Sequence, residues 1–313
     1  MTSMDNIPTT SNSNLTSPII VFGTTGQVGK ALLSQLKDMA VTYPRKIADF
    51  SQPQQIKTLL ESLSFRPRAI INAAAYTAVD LAESEEELAH RINAESPAVI
   101  ASFCAENNIP FIHYSTDYVF DGNGTSPRPE ENPTEPLNAY GRTKLAGEKL
   151  IAAAGGRYII LRTSWVYDET GRNFLNTMLR LGNERESLRV VNDQTGAPTY
   201  APHLAETTLA VLYKAEQCDS FPSGIYHACG EGETTWHGFA EMIFSLAREQ
   251  GIPLQIKTVE GIPSELYPTP ATRPLNSRLD CHKLIETFGV SLPEWKESLA
   301  YAIQQKLHWE KVA

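Results

Sequence analysis

The sequence predicts an α/β fold with a doubly wound parallel sheet, followed by a smaller and more irregular C-terminal domain. Short apolar runs alternate with stretches of helical periodicity up to about residue 165. A glycine-rich segment separates the first apolar run from the first helical stretch. Beyond that point the alternation weakens and proline-rich loops appear, as in Tyr267-Pro268-Thr269-Pro270. We therefore expect a disordered tail over 1–17, one domain over 18–166, and a second over 167–313 that is partly interleaved with the first.

The elements of the first domain follow from burial and periodicity. Short apolar, β-branched runs predict buried parallel strands, and apolar residues three or four positions apart predict helices. In chain order we expect strand 19–22, helix 29–40, strand 41–43, helix 54–63, strand 69–72, one or two helices over 84–107, strand 111–115, helix 140–153 and strand 158–162. Alternation of this kind places helices on both faces of a parallel sheet, with ligands at the carboxyl ends of its strands.

Composition and charge exclude several classes of protein. The 313 residues carry a formal net charge of -9, which argues against binding along a nucleic-acid backbone. No uncharged apolar run approaches the ~18 residues of a membrane-spanning helix. Residues 1–17 lack the basic and apolar regions of a secretory signal. The four cysteines form no C-x-x-C pair, and we expect reduced thiols in a cytoplasmic protein.

The glycine-rich segment has the spacing of a dinucleotide-binding loop. Gly23, Gly26 and Gly29 follow one another at intervals of three, between a predicted strand and a predicted helix. Glycine permits the tight turn, and the helix N-terminus presents free N–H groups to a pyrophosphate. We predict a Rossmann-type sheet whose cofactor contacts include Gln27 and Val28 beside the three glycines; a purely structural turn is the alternative.

The segment after the second strand bears on the choice of cofactor. Pro44-Arg45-Lys46 contains two cations and no carboxylate that could bind a ribose 2′-hydroxyl. Two cations suit a 2′-phosphate, so NADPH is the preferred cofactor and NADH the alternative. Asp49 and Phe50 are expected along the adenine edge. Solvated charges on a loop are the other interpretation of Arg45 and Lys46.

A candidate proton donor lies in the predicted helix 140–153. Tyr140 and Lys144 are one helical turn apart, and hydroxyl residues Ser115 and Thr116 end the fourth strand. A neighbouring ammonium would lower the pKa of a tyrosine from ~10, so that its phenol can exchange a proton. Because adjacent strand residues point to opposite faces, only one of the two hydroxyls can serve beside it.

Motifs along the chain carry a resemblance to a known family. They are the glycine loop, Asn72-Ala73-Ala74-Ala75, STDYVFDG (115–122), YGRTKLAGEK (140–149), RTSWVY (162–167), NDQTGAPT (192–199) and YPTPATRPLNSRLD (267–280). Together they resemble the dTDP-4-dehydrorhamnose reductases, within the extended short-chain dehydrogenase/reductases. The resemblance extends over nearly the whole chain from Pro18.

The resemblance implies a reaction and a set of site residues. Hydride would pass from NAD(P)H to C4 of the nucleotide sugar dTDP-4-dehydro-L-rhamnose, giving dTDP-L-rhamnose in the last step of its biosynthesis. Tyr140 would protonate the C4 oxygen, Lys144 would hold the nicotinamide ribose, and Thr116 would bond the substrate oxygen. Further cofactor contacts would be Ala73, Ala74, Ala75 and Tyr114, and further substrate contacts Asp117, Trp165, Arg273 at the diphosphate, and Asn276.

Other functions on the same fold remain open. A nucleotide-sugar dehydratase would have an acidic residue directly after Thr116-Asp117, where this chain has Tyr118. An epimerase is harder to separate by sequence, and a non-catalytic regulatory subunit, like the beta subunit of methionine adenosyltransferase, is the candidate from another class.

The sequence leaves metal use and assembly open. Some family members join subunits through magnesium held by carboxylates, but the matching position here is Lys30-Ala31. The histidines lack i, i+4 metal spacing, and we interpret His113 among them as a structural or surface residue. We predict no protein metal ligands, leave magnesium uncertain, and leave a homodimer open.

Overall fold

The computed structural model describes residues 17–312, so the predicted tail lies outside the described residues except for Ser17. The strands are β1 (Ile19–Phe22), β2 (Ala40–Thr42), β3 (Ala69–Asn72), β4 (Phe111–Thr116), β5 (Tyr158–Thr163), β6 (Val166–Tyr167), β7 (Ser187–Val191), β8 (Thr195–Gly196), β9 (Thr199–Tyr200), β10 (Gly224–His227), β11 (Thr234–Thr235), β12 (Thr258–Ile262) and β13 (Asn276–Ser277).

The helices alternate with these strands in the first half of the chain and follow them irregularly in the second. They are α1 (Gln27–Leu36), α2 (Pro53–Glu61), α3 (Val79–Ala82), α4 (Glu86–His90), α5 (Ser96–Glu106), α6 (Ala139–Ala154), α7 (Phe174–Glu184), α8 (Ala201–Ala215), α9 (Trp236–Glu249), α10 (His282–Phe288) and α11 (Trp295–Val312).

A six-stranded parallel sheet forms the centre of the molecule, in the order β10-β5-β4-β3-β1-β2. Its two faces bury alternate residues of the same strands: Ile19 and Val21 pack under α1 and α8, and Ile20 and Phe22 pack toward α2 and α5. The predicted doubly wound parallel sheet is therefore confirmed.

The chain from 84 to 107, predicted as one or two helices, forms α4 and α5 joined through a π-helical turn at Arg91–Glu95. Helix α6 crosses this turn closely, because a Cβ on Gly147 would collide with the carbonyl oxygen of Asn93. The Asn93 side chain also bonds the Thr143 hydroxyl at 3.1 Å. The wide turn thus packs closely against α6, which carries Tyr140 and Lys144.

The first sheet draws on both halves of the sequence. Strand β10 pairs with β5, and helix α8 packs on α1, although both come after residue 166. A second core lies among α7, α9 and α11, with β7 pairing β12 beside it. The division at residue 166 stays a prediction. Within residues 17–312, no helix combines the length and apolarity needed to cross a membrane.

Ile160 tests the packing of the central sheet. It lies on β5, is 0% exposed, and belongs to the core between the sheet and α2 and α5. Ile160→Ala should lower the free energy of unfolding by ~2–5 kcal/mol, because it removes buried methyl groups and leaves a cavity. Ile285→Ala, at a position 43% exposed on α10, is the matched control for urea unfolding, with an expected change within ~0.5 kcal/mol. Equal losses would contradict the assigned core.

Candidate active site

Two adjoining cavities open at the carboxyl ends of β1, β3, β4 and β5. The larger, of about 650 Å³, extends from the glycine loop past β4 to Trp165 and Trp236. The smaller, of about 590 Å³, lies between the glycine loop and the segment after β2. Both are lined by Gly26, Ala73 and Ala75, so they form one trough along the edge of the sheet where parallel sheets bind ligands.

The glycine loop forms a cradle that leaves no room for side chains at its first and third glycines. Gly23 has a φ of 80°, and a Cβ there would collide with the backbone of Ala73 and Ala74. A Cβ on Gly29 would collide with the carbonyl oxygen of Gly23. Helix α1 begins directly after Gly26 and directs its free N–H groups at the trough. The residues present therefore fit the pyrophosphate of a dinucleotide.

Gln27 and Val28 line the larger cavity as α1 begins. The Gln27 amide connects the loop to the second half of the chain: its Nε2 donates to the Val166 carbonyl oxygen at 3.2 Å, and its Oε1 accepts from Asn173 Nδ2 at 3.0 Å. The first turn of α1 is thereby fixed against the segment that follows β5.

The smaller cavity contains the residues predicted for the adenosine end. It is lined by Arg45, Asp49 and Phe50, together with the three alanines of 73–75; of the two predicted cations, Lys46 is outside the described lining. Arg45 Nε lies 3.7 Å from Asp49 Oδ1, and the Arg45 side chain is 79% exposed. A cation and a carboxylate therefore both face the place where an adenosine ribose would lie.

Thr116, Tyr140 and Lys144 meet in the larger cavity. Thr116 is the last residue of β4, and its hydroxyl accepts from the Tyr118 N–H at 3.2 Å and donates to Asp117 Oδ1 at 3.0 Å. The Thr116 side chain also acts on the Tyr140 phenol, whose pKa it lowers. Ser115 also lines the cavity, and its buried Oγ has no partner within the described chain. Of the two hydroxyls, that of Thr116 influences the phenol, and its pairing with Tyr140 stays a prediction.

Burial dominates the acid–base properties of this cluster. It raises the pKa of Tyr140 to about 12, against a lowering by the Thr116 hydrogen bond. The sequence predicts a lowered pKa for Tyr140. The helical spacing places the Lys144 ammonium one turn away, but it does not indicate how deeply the phenol is buried. Burial also lowers the pKa of Lys144 to about 8, while the Glu148 charge raises it. Both groups are shifted toward their neutral forms.

His113 contacts Lys144 directly, a contact that sequence analysis missed. Its Nε2 lies 3.2 Å from Lys144 Nζ, which also donates to the Tyr114 carbonyl oxygen at 2.6 Å. The Tyr114 hydroxyl turns away from Lys144 and bonds Thr208 at 2.7 Å. The one signal in the sequence is that His113 precedes Ser115 by two residues, and so lies on the same face of a fully buried strand.

Aromatic rings form the wall opposite β4. Trp165 stacks on Trp236 with ring centroids 3.7 Å apart, and Phe174 packs on the far side of Trp236 at 4.7 Å. Trp165 has a φ of 47°, an uncommon conformation for a large residue. Trp236 Nε1 donates to Gln194 Oε1 at 3.2 Å, which fixes the second indole. Nothing in the sequence pattern distinguishes Trp236 as part of this wall.

The remaining predicted substrate residues divide into two groups. Asp117 lines the larger cavity, and burial raises its pKa to about 6. Arg273 and Asn276 are outside the lining described for that cavity. Arg273 pairs with Asp80 at 2.9 Å, and the Asn276 amide donates to the carbonyl oxygens of Asn123 and Ser126 at 3.3 and 3.0 Å.

Two cations that sequence analysis missed, Lys30 and Arg172, line the larger cavity.

In the described part of the chain, no three histidine, cysteine or carboxylate side chains gather as a metal site would require.

The fold and the site together define a class of protein. A doubly wound sheet, a glycine cradle at a helix N-terminus and a Thr–Tyr–Lys cluster at the carboxyl ends of the strands are the features of a dinucleotide-dependent oxidoreductase of the short-chain dehydrogenase/reductase type. The profile of the RmlD substrate binding domain family matches residues 17–308, and the chain belongs to that family.

Two relatives of this chain bear the same name, which confirms the resemblance found in the sequence. The dTDP-4-dehydrorhamnose reductase of Escherichia coli K12 is 46% identical over 284 residues, covering 89% of this chain and 94% of that protein. The protein of the same name from Burkholderia thailandensis is 42% identical, covering 92% of this chain and 99% of that protein.

Solved structures agree with this assignment. A dTDP-4-dehydrorhamnose reductase of Bacillus anthracis in complex with NADP superposes with a TM-score of 0.84 at 32% identity, covering 92% of this chain and 99% of that one. A UDP-glucose 4-epimerase of Brucella ovis in complex with NAD gives 0.72 at 16% identity, covering 91% and 97%. That second likeness shows a common fold.

Asp117 should make stability depend on pH. Its pKa of about 6 in the folded chain exceeds the ~3.9 of an unfolded aspartate. Its contribution to stability is therefore complete below about pH 4 and is lost as pH rises through about 6. The amide in Asp117→Asn does not titrate, so the variant does not lose this stability. Between about pH 4 and pH 7, its free energy of unfolding in urea should therefore rise by ~2–3 kcal/mol relative to that of the wild type. A difference that is constant with pH would contradict the assigned environment.

Proposed function

We propose that this protein reduces the C4 ketone of dTDP-4-dehydro-L-rhamnose with NADPH, giving dTDP-L-rhamnose. The observation that carries the proposal is the cluster of Thr116, Tyr140 and Lys144, which lies in the same trough as the glycine cradle. Membership of the family, and the common name of its relatives, supports the choice of sugar.

The chain's own residues account for the proton and the oxyanion. NADPH, when bound, supplies the hydride. The C4 oxygen then gains negative charge, and donors that are already in place stabilise it. A tyrosine with a pKa of about 12 is protonated at neutral pH. Tyr140 therefore presents the acid form that reduction requires, and Thr116 holds the phenol and the substrate oxygen together.

Lys144 and the glycine cradle position the cofactor in this proposal. Lys144 Nζ would bond the nicotinamide ribose from its place beside the Tyr114 carbonyl. Gly23, Gly26 and the start of α1 would hold the pyrophosphate, with Ala73, Ala74 and Ala75 along the opposite wall. Asp49 and Phe50 would flank the adenosine. The binding of NADP by the Bacillus anthracis structure supports this arrangement.

The sugar would lie between β4 and the aromatic wall. Asp117 would bond its hydroxyls and Trp165 would cover its ring. Arg273 pairs with Asp80 and would approach a diphosphate from that position, whereas Arg172 and Lys30 already line the cavity. Asn276 would act indirectly, by ordering the loop that contains Asn123 and Ser126.

Tyr118 favours reduction over water elimination as the reaction of this site. Its ring meets that of Tyr140 edge-on, with centroids 5.7 Å apart, at the position where a dehydratase would need an acid. A regulatory subunit without activity stays the alternative from another class. A cytoplasmic location, a homodimer, the use of magnesium and the separate substrate domain over 167–313 are further predictions.

Tyr140→Phe tests the reaction. With enzymatically prepared dTDP-4-dehydro-L-rhamnose, the wild type should oxidise NADPH saturably, as followed by absorbance, and form dTDP-L-rhamnose. The variant should lose at least ~100-fold in kcat, the scale of general acid catalysis, with little change in the Kd of NADPH. Tyr118→Phe, a hydroxyl removed from the neighbouring ring, should lose far less. Near-normal turnover by Tyr140→Phe would refute the assigned donor; a wild type that binds NADPH but reduces no sugar would favour the regulatory subunit.

Arg45→Asp tests the preference for NADPH. If Arg45 binds the 2′-phosphate, its replacement should weaken NADPH binding by ~10-fold or more and spare NADH, since a charge-assisted contact to phosphate is lost. Lys46→Asp makes the same charge change one residue further on, outside the described cavity lining, and should have a smaller effect in fluorescence titrations. Equal weakening of both cofactors by Arg45→Asp would be inconsistent with the assignment.

A further inference from the structure

A buried chain of hydrogen bonds ends on Lys144. The Ala74 N–H donates to Asn72 Oδ1 at 2.9 Å, Asn72 Nδ2 lies 3.0 Å from His113 Nδ1, and His113 Nε2 lies 3.2 Å from Lys144 Nζ. Asn72 and His113 are both 0% exposed. The chain therefore links the backbone of the cofactor trough to the amine of the catalytic cluster.

The donors and acceptors along this chain determine where the His113 proton lies. Because Asn72 Oδ1 accepts from the Ala74 N–H, the amide must turn its NH₂ group toward His113. An NH₂ group only donates, so His113 Nδ1 must accept. Burial and the nearby Lys144 hold the pKa of His113 well below its usual range, so the ring is neutral. Its single proton is therefore on Nε2, the nitrogen that faces Lys144.

This tautomer opposes the charged form of Lys144. An ammonium has three donors and no acceptor, so it cannot receive the Nε2–H of His113. A neutral amine can accept that hydrogen and still donate to the Tyr114 carbonyl oxygen, 2.6 Å away. The two contacts of Nζ are satisfied together only when Lys144 is an amine.

The other charged or titratable groups around Lys144 do not replace His113 in this role. Glu148, one turn further along α6, favours the ammonium, but it is engaged by Arg162 of β5 at 2.7 Å. Tyr140 on the same helix and Asp117 after β4 face the cavity. Among these groups, His113 is the one whose donor is directed at Nζ.

We propose that His113 is a positioning residue for the reductase reaction: held as the Nε2–H tautomer by Asn72, it fixes Lys144 Nζ against the Tyr114 carbonyl and opposes its positive charge. The proposal rests on the proposed function, since it concerns the same cluster. His113 would keep Lys144 near its point of proton exchange, so that the ammonium form can release a proton beside Tyr140 and the amine that remains can still donate a hydrogen bond.

The tautomer can be observed directly. In the full-length protein labelled with ¹⁵N-histidine, the two ring nitrogens of His113 should give a protonated Nε2 and an unprotonated Nδ1 at neutral pH. Asn72→Asp should reverse them, since a carboxylate can accept both from the Ala74 N–H and from a protonated Nδ1. A wild-type ring protonated on Nδ1 would overturn the proposal.

The charge of Lys144 is the second readout. In ¹³C-lysine spectra, with Lys144→Met for assignment, His113→Phe should raise the titration midpoint of Lys144 by about one pH unit, since it removes the donor that favours the amine. His113→Gln, whose carbonyl can face Asn72 and whose NH₂ can face Lys144, should restore the midpoint. The alkaline limb of the kcat profile should move with it.

His227→Phe is the matched control, because His227 is also 0% exposed and lies 3.4 Å from a cation, Arg162 Nη1, away from Lys144. This variant should lower the free energy of unfolding and leave the titration midpoint of Lys144 unchanged. An unchanged midpoint in His113→Phe, or an equal shift in His227→Phe, would overturn the proposal. The spectra need no substrate, so a wild type without reductase turnover would contradict the proposed function alone.

Discussion

The site depends on the close approach of two pieces of backbone. The turn after β1 and the segment after β3 touch at Gly23 and Ala74, and Gly29 brings α1 down onto the same turn. Ala73 N–H also donates to the Phe22 carbonyl oxygen at 3.0 Å. A side chain at either glycine would push these segments apart, so the absence of a Cβ determines the width of the trough.

The same segment serves both ends of the active site. Ala73 and Ala75 line the trough, while Ala74 fixes the Asn72 amide and, through His113, the Lys144 amine. The glycine cradle and the Thr–Tyr–Lys cluster therefore share one segment rather than being two sites placed side by side. Their polar groups are buried, which makes each hydrogen bond costly to leave unmade and favours a single arrangement.

Local spacing made a large part of this architecture predictable. The strands of the first half and the glycine loop follow from periodicity over a few residues, and Tyr140 and Lys144 share a helix whose geometry is regular. The contact between His113 and Lys144 joins residues 31 positions apart, and no helix or strand periodicity predicts it. Trp236 joins Trp165 only through tertiary packing, and the raised pKa of Tyr140 reflects burial. The Asn276 amide bonds the carbonyl oxygens of Asn123 and Ser126, a contact that no local pattern predicts.

The late addition of β10 to the first sheet affects how the chain must fold. Residues 224–227 supply an outer strand, and until they are synthesised β5 presents an unpaired edge. An exposed edge strand is a template for association with other chains. During translation the sheet can therefore be completed only after residue 227 of the 313 has left the ribosome. Its last pairing closes a long loop, which is slow for entropic reasons. Fusions or truncations that end before β10 would retain the glycine cradle and the Thr–Tyr–Lys cluster in sequence, but would leave β5 open to aggregation.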